Sequence, residues 1–212
     1  MTLLQPGLFD SPPPPTEAAA SDPTLTTLAE ARAWVRDHWL DGVSCPCCDQ
    51  RAQVYRRPIY AAMVRHLLTL YRADAERREG TPLPATYASA DGHFHIDRLI
   101  HARPGGGRAG GDFAKLRFWG LVLESTAESD VGARSPGWWR ITPRGRAFCE
   151  GKLSVLKYVF LYNGQPIDPD AAGVPEDRRG GLVDVRACLG ERFDYDALMG
   201  GLSTPAEVRS AA

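Results

Sequence analysis

The chain has 212 residues, of which 43% are hydrophobic and 24% are charged, and its formal net charge is −1. These proportions are ordinary for a globular protein, and the near-zero net charge argues against indiscriminate binding to nucleic acid. No stretch approaches the roughly 18 consecutive apolar residues of a membrane span. The N-terminal sequence also lacks the basic region of a secretory signal. We therefore expect a cytoplasmic, non-membrane protein of one or two small domains.

Residues 1–23 are predicted to form a disordered, proline-rich tail. Near its start, the sequence QPGLF at residues 5–9 resembles the short bacterial sliding-clamp-binding motif, a glutamine followed by an apolar pair. The resemblance implies that Gln5 forms hydrogen bonds while Leu8 and Phe9 enter an apolar pocket of the clamp or another host protein. The alternative is that these apolar residues pack on the protein's own surface.

A first helix is predicted from Thr24 to Leu40, opened by Asp22 and Pro23 and ended by Asp41 and Gly42. Its apolar stripe is expected to include Leu28, Ala31, Trp34, Val35 and Trp39. A further strand is expected at residues 53–55.

Three cysteines follow this helix in a short loop. Cys45 and Cys48 form a C-x-x-C pair, a spacing that lets two thiolates reach one zinc ion, and Cys47 could be a third ligand. The histidines that could complete a structural zinc site are His38, His93 and His95. Buried thiols or a redox pair are the alternatives. The isolated Cys149 and Cys188 are predicted to be core residues.

The clearest predicted helix covers residues 59–78. Ile59, Met63, Leu67 and Leu70 fall on one face, at helical spacings of four, four and three. The charged residues are assigned to the opposite, solvent-facing side: Arg65, Arg72, Asp74, Glu76, Arg77 and Arg78.

Two short helices are predicted after a loop at residues 81–92. The first covers residues 96–101 and is followed by a glycine-rich turn at residues 104–111. The second covers residues 113–119, with Asp112 as its N-cap and Gly120 as its C-cap.

Two strands, at residues 121–124 and 138–141, and a helix opened by Thr142 and Pro143 complete this region. A winged helix-turn-helix has this order of elements: a helix, a second helix, a turn, a capped helix and a two-stranded hairpin. The sequence GWWRITPRGRAFCEG at residues 137–151 resembles the wing and following helix of many winged-helix proteins. Together with GGDFAKLRFWGLVLE at residues 111–124, it also resembles a group of uncharacterised bacteriophage and prophage proteins.

The charge distribution favours this region as a DNA-binding surface. Residues 95–146 contain nine basic and five acidic residues, so this segment has a net charge of +4. Because the whole chain has a net charge of −1, the remaining residues carry −5. Such a local positive face can contact phosphates. The predicted DNA-binding residues are Arg108, Lys115, Arg117, Arg134, Arg140, Arg144 and Arg146.

The C-terminal part is predicted to contain a hairpin at the Asn163-Gly164 turn. Short helices are expected at residues 184–189 and 194–199. The predicted organisation is a tail (1–23), an N-terminal helix with a cysteine-rich knuckle (24–58), a winged helix-turn-helix (59–151), a C-terminal hairpin with short helices (152–200) and a flexible tail (201–212). The expected fold class is α+β, mainly helical.

No catalytic constellation is recognisable: the sequence has neither a P-loop nor H-E-x-x-H. We therefore expect a non-enzymatic protein that binds double-stranded DNA, and the resemblance to bacteriophage and prophage proteins implies a phage or prophage role in regulation or replication. The alternatives are a winged helix used for protein contacts and an adaptor that binds a host replication factor through residues 5–9. A homodimer remains open.

Overall fold

The computed structural model describes residues 27–103, 111–125 and 136–200, which form an α+β fold. The helices are α1 (Leu28–His38), α2 (Ala61–Arg78), α3 (Ile96–His101), α4 (Pro143–Cys149), α5 (Glu176–Arg179), α6 (Val185–Leu189), α7 (Tyr195–Met199) and two 3-10 helices (Phe113–Trp119 and Gly190–Arg192). The strands are β1 (Val43–Ser44), β2 (Arg51–Ala52), β3 (Tyr55–Pro58), β4 (Phe94–His95), β5 (Val122–Glu124), β6 (Trp138–Ile141), β7 (Val155–Leu156), β8 (Tyr158–Tyr162), β9 (Gln165–Ile167) and β10 (Leu182–Val183). Within the described residues, none of the helices is both long and apolar enough to cross a membrane.

The chain divides into two compact units. Among the described residues, 27–55 and 161–165 form the first unit, and the remaining ones form the second. The chain passes from one unit to the other after residues 55, 160 and 165. Each unit has its own cluster of buried apolar side chains.

A capping box fixes the start of α1 in the first unit. The Thr27 hydroxyl accepts a hydrogen bond from the Glu30 amide at 3.2 Å, and the Glu30 carboxylate accepts one from the Thr27 amide at 2.9 Å. Because these two bonds satisfy the free amides of the first turn, the helix begins at Leu28. The predicted helix is present but shorter than expected: it begins at Leu28 rather than Thr24 and ends at His38 rather than Leu40.

The buried side of α1 is narrower than the predicted stripe. Ala31 and Val35 are buried, and Val35 lies in a small core with Val43 and Ala52, whereas Leu28 is 56% exposed. Trp34 packs partly buried against this core. Among the described residues, the buried side chains opposite α1 are Val43 and Ala52 of the two-stranded hairpin β1-β2 (residues 43–44 and 51–52), and Tyr162 packs against them partly buried.

Helix α2 is the centre of the second unit. Ile59, Met63, Leu67 and Leu70 are all buried, as their spacing predicted. Asp74, assigned to the solvent-facing side of this helix, is instead buried. The protein tolerates this buried negative charge because arginines surround the carboxylate.

A three-stranded antiparallel sheet lies beside this helix. Along the chain, the elements of this region follow one another as α2, β4, α3, the first 3-10 helix, β5, β6 and α4. Its strand order is β4-β6-β5. The register pairs Phe94 with Trp139 and Val122 with Ile141. All four side chains are buried, so this face of the sheet belongs to the core.

The segment after the glycine-rich turn is a 3-10 helix rather than the predicted α-helix, with the predicted bounds Phe113–Trp119. A 3-10 helix has three residues per turn, so every third side chain shares one side. Phe113, Leu116 and Trp119 follow this period, and all three are buried. Gly120 ends the helix in the left-handed conformation, with a φ of 69°, as expected. Asp112 does not cap it, because its own backbone is helical and its side chain makes no capping hydrogen bond.

Turn and capping residues set the C-terminal elements. Asn163 and Gly164 both have positive φ, 49° and 73°, as a two-residue hairpin turn requires. The side chains of Asp184 and Asp194 accept hydrogen bonds from the amides of Ala187 and Ala197, in the first turns of α6 and α7. The strand expected at residues 53–55 is wrong, since β2 ends at Ala52 and β3 begins at Tyr55.

Candidate nucleic-acid interface

The first 3-10 helix carries two of the predicted DNA-binding residues, and both are paired with carboxylates. The Lys115 ammonium forms an ion pair with the Asp112 carboxylate. An Arg117 guanidinium nitrogen lies 3.6 Å from a Glu124 carboxylate oxygen, and the guanidinium also lies 5.1 Å from the centre of the Phe118 ring. Solvent-exposed ion pairs contribute only about 0–1 kcal/mol, so phosphate groups could replace these carboxylates as partners.

The N-terminal turn of α4 is attached to the end of this 3-10 helix. The Thr142 hydroxyl accepts a hydrogen bond from the Gly145 amide at 2.9 Å and donates one to the Gly120 carbonyl at 2.6 Å. The exposed Arg144 donates from Nε to the Trp119 carbonyl at 3.0 Å. These bonds bring Arg144 next to the segment that carries Lys115.

Arg140 is the least constrained of the predicted cations. It lies exposed on β6, opposite Leu123 on β5, and its side chain makes no hydrogen bond or ion pair with the residues that the structure describes. Arg140, Arg77 and Arg146 line a cavity of about 420 Å³, which also includes Asp74.

Arg146 is held by a buried carboxylate. Its Nε lies 2.9 Å from Asp74, whose side chain is only 3% exposed. Arg78 and Arg77 also bind this carboxylate, at 3.1 Å and 3.3 Å. Three hydrogen-bonded arginines compensate the burial of one negative charge. This cluster was not predicted, although the i, i+3 and i, i+4 spacing of Asp74, Arg77 and Arg78 is a signal for it in the sequence.

Several predicted residues lie outside the described part of the chain. They are Arg108 in the glycine-rich turn, Arg134 between β5 and β6, and Gln5, Leu8 and Phe9 near the N-terminus. Their assigned roles stay predictions from the sequence.

The predicted metal-binding cysteines occupy the turn between β1 and β2. The Cys45 amide donates to the Gln50 carbonyl at 2.8 Å, and the Asp49 amide donates to the Cys45 carbonyl at 2.8 Å. Asp49 has a φ of 56°, which lets the chain reverse at this point. Cys47 and Cys48 are exposed, which is unusual because free cysteine is among the most buried residue types.

The histidines considered as further ligands have other partners. His38 Nδ1 lies 2.7 Å from the Trp34 carbonyl, and His93 Nδ1 lies 2.7 Å from the Asp91 carboxylate. The His95 ring packs edge-on against Trp138, with ring centres 5.6 Å apart. Across residues 27–103, 111–125 and 136–200, no group of three or more His, Cys, Asp or Glu side chains is arranged to hold a metal ion.

The two isolated cysteines lie in the second unit. Cys149 is fully buried and Cys188 is partly buried against the same core. Burial raises the pKa of the Cys149 thiol well above its ordinary value and that of Cys188 to about 12. Both are therefore protonated, unreactive thiols at neutral pH.

Comparison with protein-family models, with curated proteins and with solved structures finds no match to this chain. The functional assignment therefore rests on the residues and their geometry.

Proposed function

We propose that the second unit is a winged helix-turn-helix that binds double-stranded DNA. The observation that carries this proposal is the chain order α2, β4, α3, 3-10 helix, β5, β6, with the sheet order β4-β6-β5. In this assignment the first 3-10 helix is the recognition helix, and the connection between β5 and β6 is the wing.

The exposed side of the first 3-10 helix supports this assignment. The major groove admits a single helix, whose outward-facing side chains contact the DNA. With Phe113, Leu116 and Trp119 buried, Lys115 and Arg117 remain on the sides that can face DNA.

The proposed phosphate contacts come from basic side chains of this region that are exposed, or whose carboxylate partners a phosphate group could replace. Arg146 is excluded from direct contact because Asp74 already binds its guanidinium, and its role here is to support the surface. The remaining contacts are Lys115, Arg117, Arg140 and Arg144, with Arg108 and Arg134 added from the sequence. A phage regulatory or replication role would use such a surface to position the protein on a duplex.

The experiment is a titration of labelled duplex DNA at several salt concentrations, comparing the protein with a Lys115→Ala/Arg117→Ala variant. Each lost phosphate contact should reduce the slope of log affinity against log salt by about one unit, so the double variant should lose roughly two. Lys152→Ala is the matched control, because its side chain is 73% exposed and pairs only with Glu150 among the described residues. An unchanged slope in the double variant would contradict the proposal.

The second candidate is a non-enzymatic adaptor whose winged helix does not bind DNA. The pairing of Lys115 with Asp112 and of Arg117 with Glu124 favours it, because these carboxylates offset the positive charge of the 3-10 helix. Weak affinity for duplex DNA without a steep salt dependence would support this candidate.

A further inference from the structure

The cysteine turn between β1 and β2 is built as a two-thiol site. The Cys48 amide donates to the Cys45 carbonyl at 3.3 Å, which closes a four-residue turn. The ends of such a turn have Cα atoms less than about 7 Å apart. The β1-β2 pairing of Ser44 with Arg51 anchors this turn from both sides.

Cys45 and Cys48 stand at the two ends of this turn, and the Cys48 side chain is exposed at the surface. Thiolates are the form of cysteine that binds metal ions.

Two cysteine ligands leave a structural zinc site half complete. Zinc in such sites is almost always bound by four ligands in a tetrahedron. The described residues of one chain supply no group of three or more candidate ligands, and His38 is hydrogen-bonded to the Trp34 carbonyl. A second copy of the same turn, related by a two-fold axis, supplies the two missing thiolates.

We propose that Cys45 and Cys48 from two copies of this chain bind one Zn²⁺ ion as four thiolate ligands. Four thiolates and one zinc ion carry a net charge of −2, which favours nearby cations. Arg32 and Arg36 line the cavity that Cys45 and Cys47 border. Arg32 also acts electrostatically on Cys47, so positive charge is present beside the turn.

The surface next to the turn suits contact with a second copy. A cavity of about 300 Å³ borders Cys45 and Cys47, and its apolar lining includes Leu28, Trp39 and Tyr162. Leu28 is 56% exposed in the single chain. A zinc-bridged pair brings two copies of this apolar surface into the same neighbourhood and reduces their exposure to water.

The experiment measures zinc content and molar mass of the full chain, by elemental analysis and by size exclusion with light scattering. We expect one zinc ion per two chains in a dimer, and conversion to monomer when a chelator removes the metal. Cys45→Ser and Cys48→Ser should each abolish bound zinc and the dimer. Cys47→Ser, a cysteine of the same turn outside the proposed pair, is the matched control and should retain both.

A cobalt titration of the unaltered chain provides a second measurement that does not depend on the folding of a variant. The thiolate-to-cobalt charge-transfer absorption should saturate at half an equivalent of metal per chain. Saturation at one equivalent in a monomer, absence of binding, or a dimer that persists in chelator would each overturn the proposal. Retention of zinc in Cys48→Ser with loss in Cys47→Ser would overturn the assignment of the pair.

Discussion

Two buried polar side chains on α2 show how single residues constrain this protein. Asp74 binds three arginines, one of them from α4, so it joins two helices of the second unit through charge. His66 is also buried, and its Nδ1 has no hydrogen-bond partner within the described residues. The buried charge of Asp74 is compensated by arginines, whereas the buried Nδ1 of His66 lacks a hydrogen-bond partner within the described residues. Substitutions of these two residues should therefore have different consequences.

Asp74→Asn should destabilise the protein. The amide keeps the volume of the side chain but loses the charge that holds Arg146 at 2.9 Å. Hydrogen bonds to charged groups contribute about 1.5–3 kcal/mol, and we expect a loss of this size because the arginines keep partial access to water. Urea denaturation measures it, with Lys152→Ala as a surface control that should change the free energy of unfolding by less than about 0.5 kcal/mol. A loss no larger than that of the control would contradict the bridging role.

The imidazole of His66 should make stability depend on pH. Burial lowers its pKa, with a further lowering by Arg65 and an opposing effect of Asp97. In the unfolded chain histidine has a pKa of about 6.5. The unfolded state therefore binds more protons between the two pKa values, and the free energy of unfolding should decrease as pH falls below about 6.5. His95, whose pKa is also lowered by burial, adds to this decrease.

His66→Leu should reduce that decrease. The comparison is made by urea denaturation at about pH 8 and about pH 5, an interval above the pKa range of unfolded carboxyl groups. At the higher pH the two proteins differ only in packing, so the change between the two pH values isolates protonation. An equal decrease in both proteins would assign the pH dependence to other groups.

At the scale of elements, local signals predicted more than long-range contacts did. The strand Trp138–Ile141 and the helix Ile96–His101 have their predicted bounds, because turn residues and apolar spacing are local in the sequence. The type of the Phe113–Trp119 helix was missed, although its three-residue apolar period matches a 3-10 helix. The burial of Asp74 could not be read from its own helix, because one of its partners, Arg146, lies 72 residues away.

The candidate sites, too, were predicted where their signal is local in the sequence and missed where it depends on distant residues. The cysteine pair was visible as a spacing, and its hairpin geometry supports the proposed metal site. The partners of Lys115 and Arg117 were not foreseen, since the pairing of Arg117 with Glu124 depends on how β5 follows the 3-10 helix. Charge in the sequence therefore identified a positive region without showing which cations are free to contact phosphate.

Gly145 should be indispensable for the junction of α4 with β5. A Cβ atom at this position would collide with the Leu121 carbonyl oxygen and lie 2.8 Å from Ile141 Cγ1. Gly145→Ala must therefore shift the helix away from the strand, and overpacking of this kind destabilises by about 1–3 kcal/mol or more. Gly181→Ala is the matched control, because its Cβ would meet no heavy atom within 4 Å. Thermal unfolding measures both, and similar midpoints would refute the close approach.

At the scale of the whole molecule, the proposed activities belong to different parts of the chain. The proposed DNA-binding surface lies in the second unit, the proposed zinc-binding turn lies in the first, and the sequence that resembles a clamp-binding motif lies outside the described residues. Each can therefore be removed by substitutions that leave the residues of the others in place. This separation makes it possible to decide between the DNA-binding protein and the adaptor with one set of variants.

Leu8→Ala/Phe9→Ala should abolish binding to a bacterial sliding clamp while leaving the salt-dependent affinity for duplex DNA unchanged. Each apolar side chain buried in a clamp pocket should contribute about 1.5–3 kcal/mol, so the double variant should bind at least a hundredfold more weakly. Calorimetry with purified clamp measures the first property and the DNA titration the second, with Lys115→Ala/Arg117→Ala as the reciprocal variant. Loss of DNA affinity in the tail variant would show that the tail contributes to the DNA surface. Absence of clamp binding by the unaltered protein would remove the sliding clamp as the partner of residues 5–9.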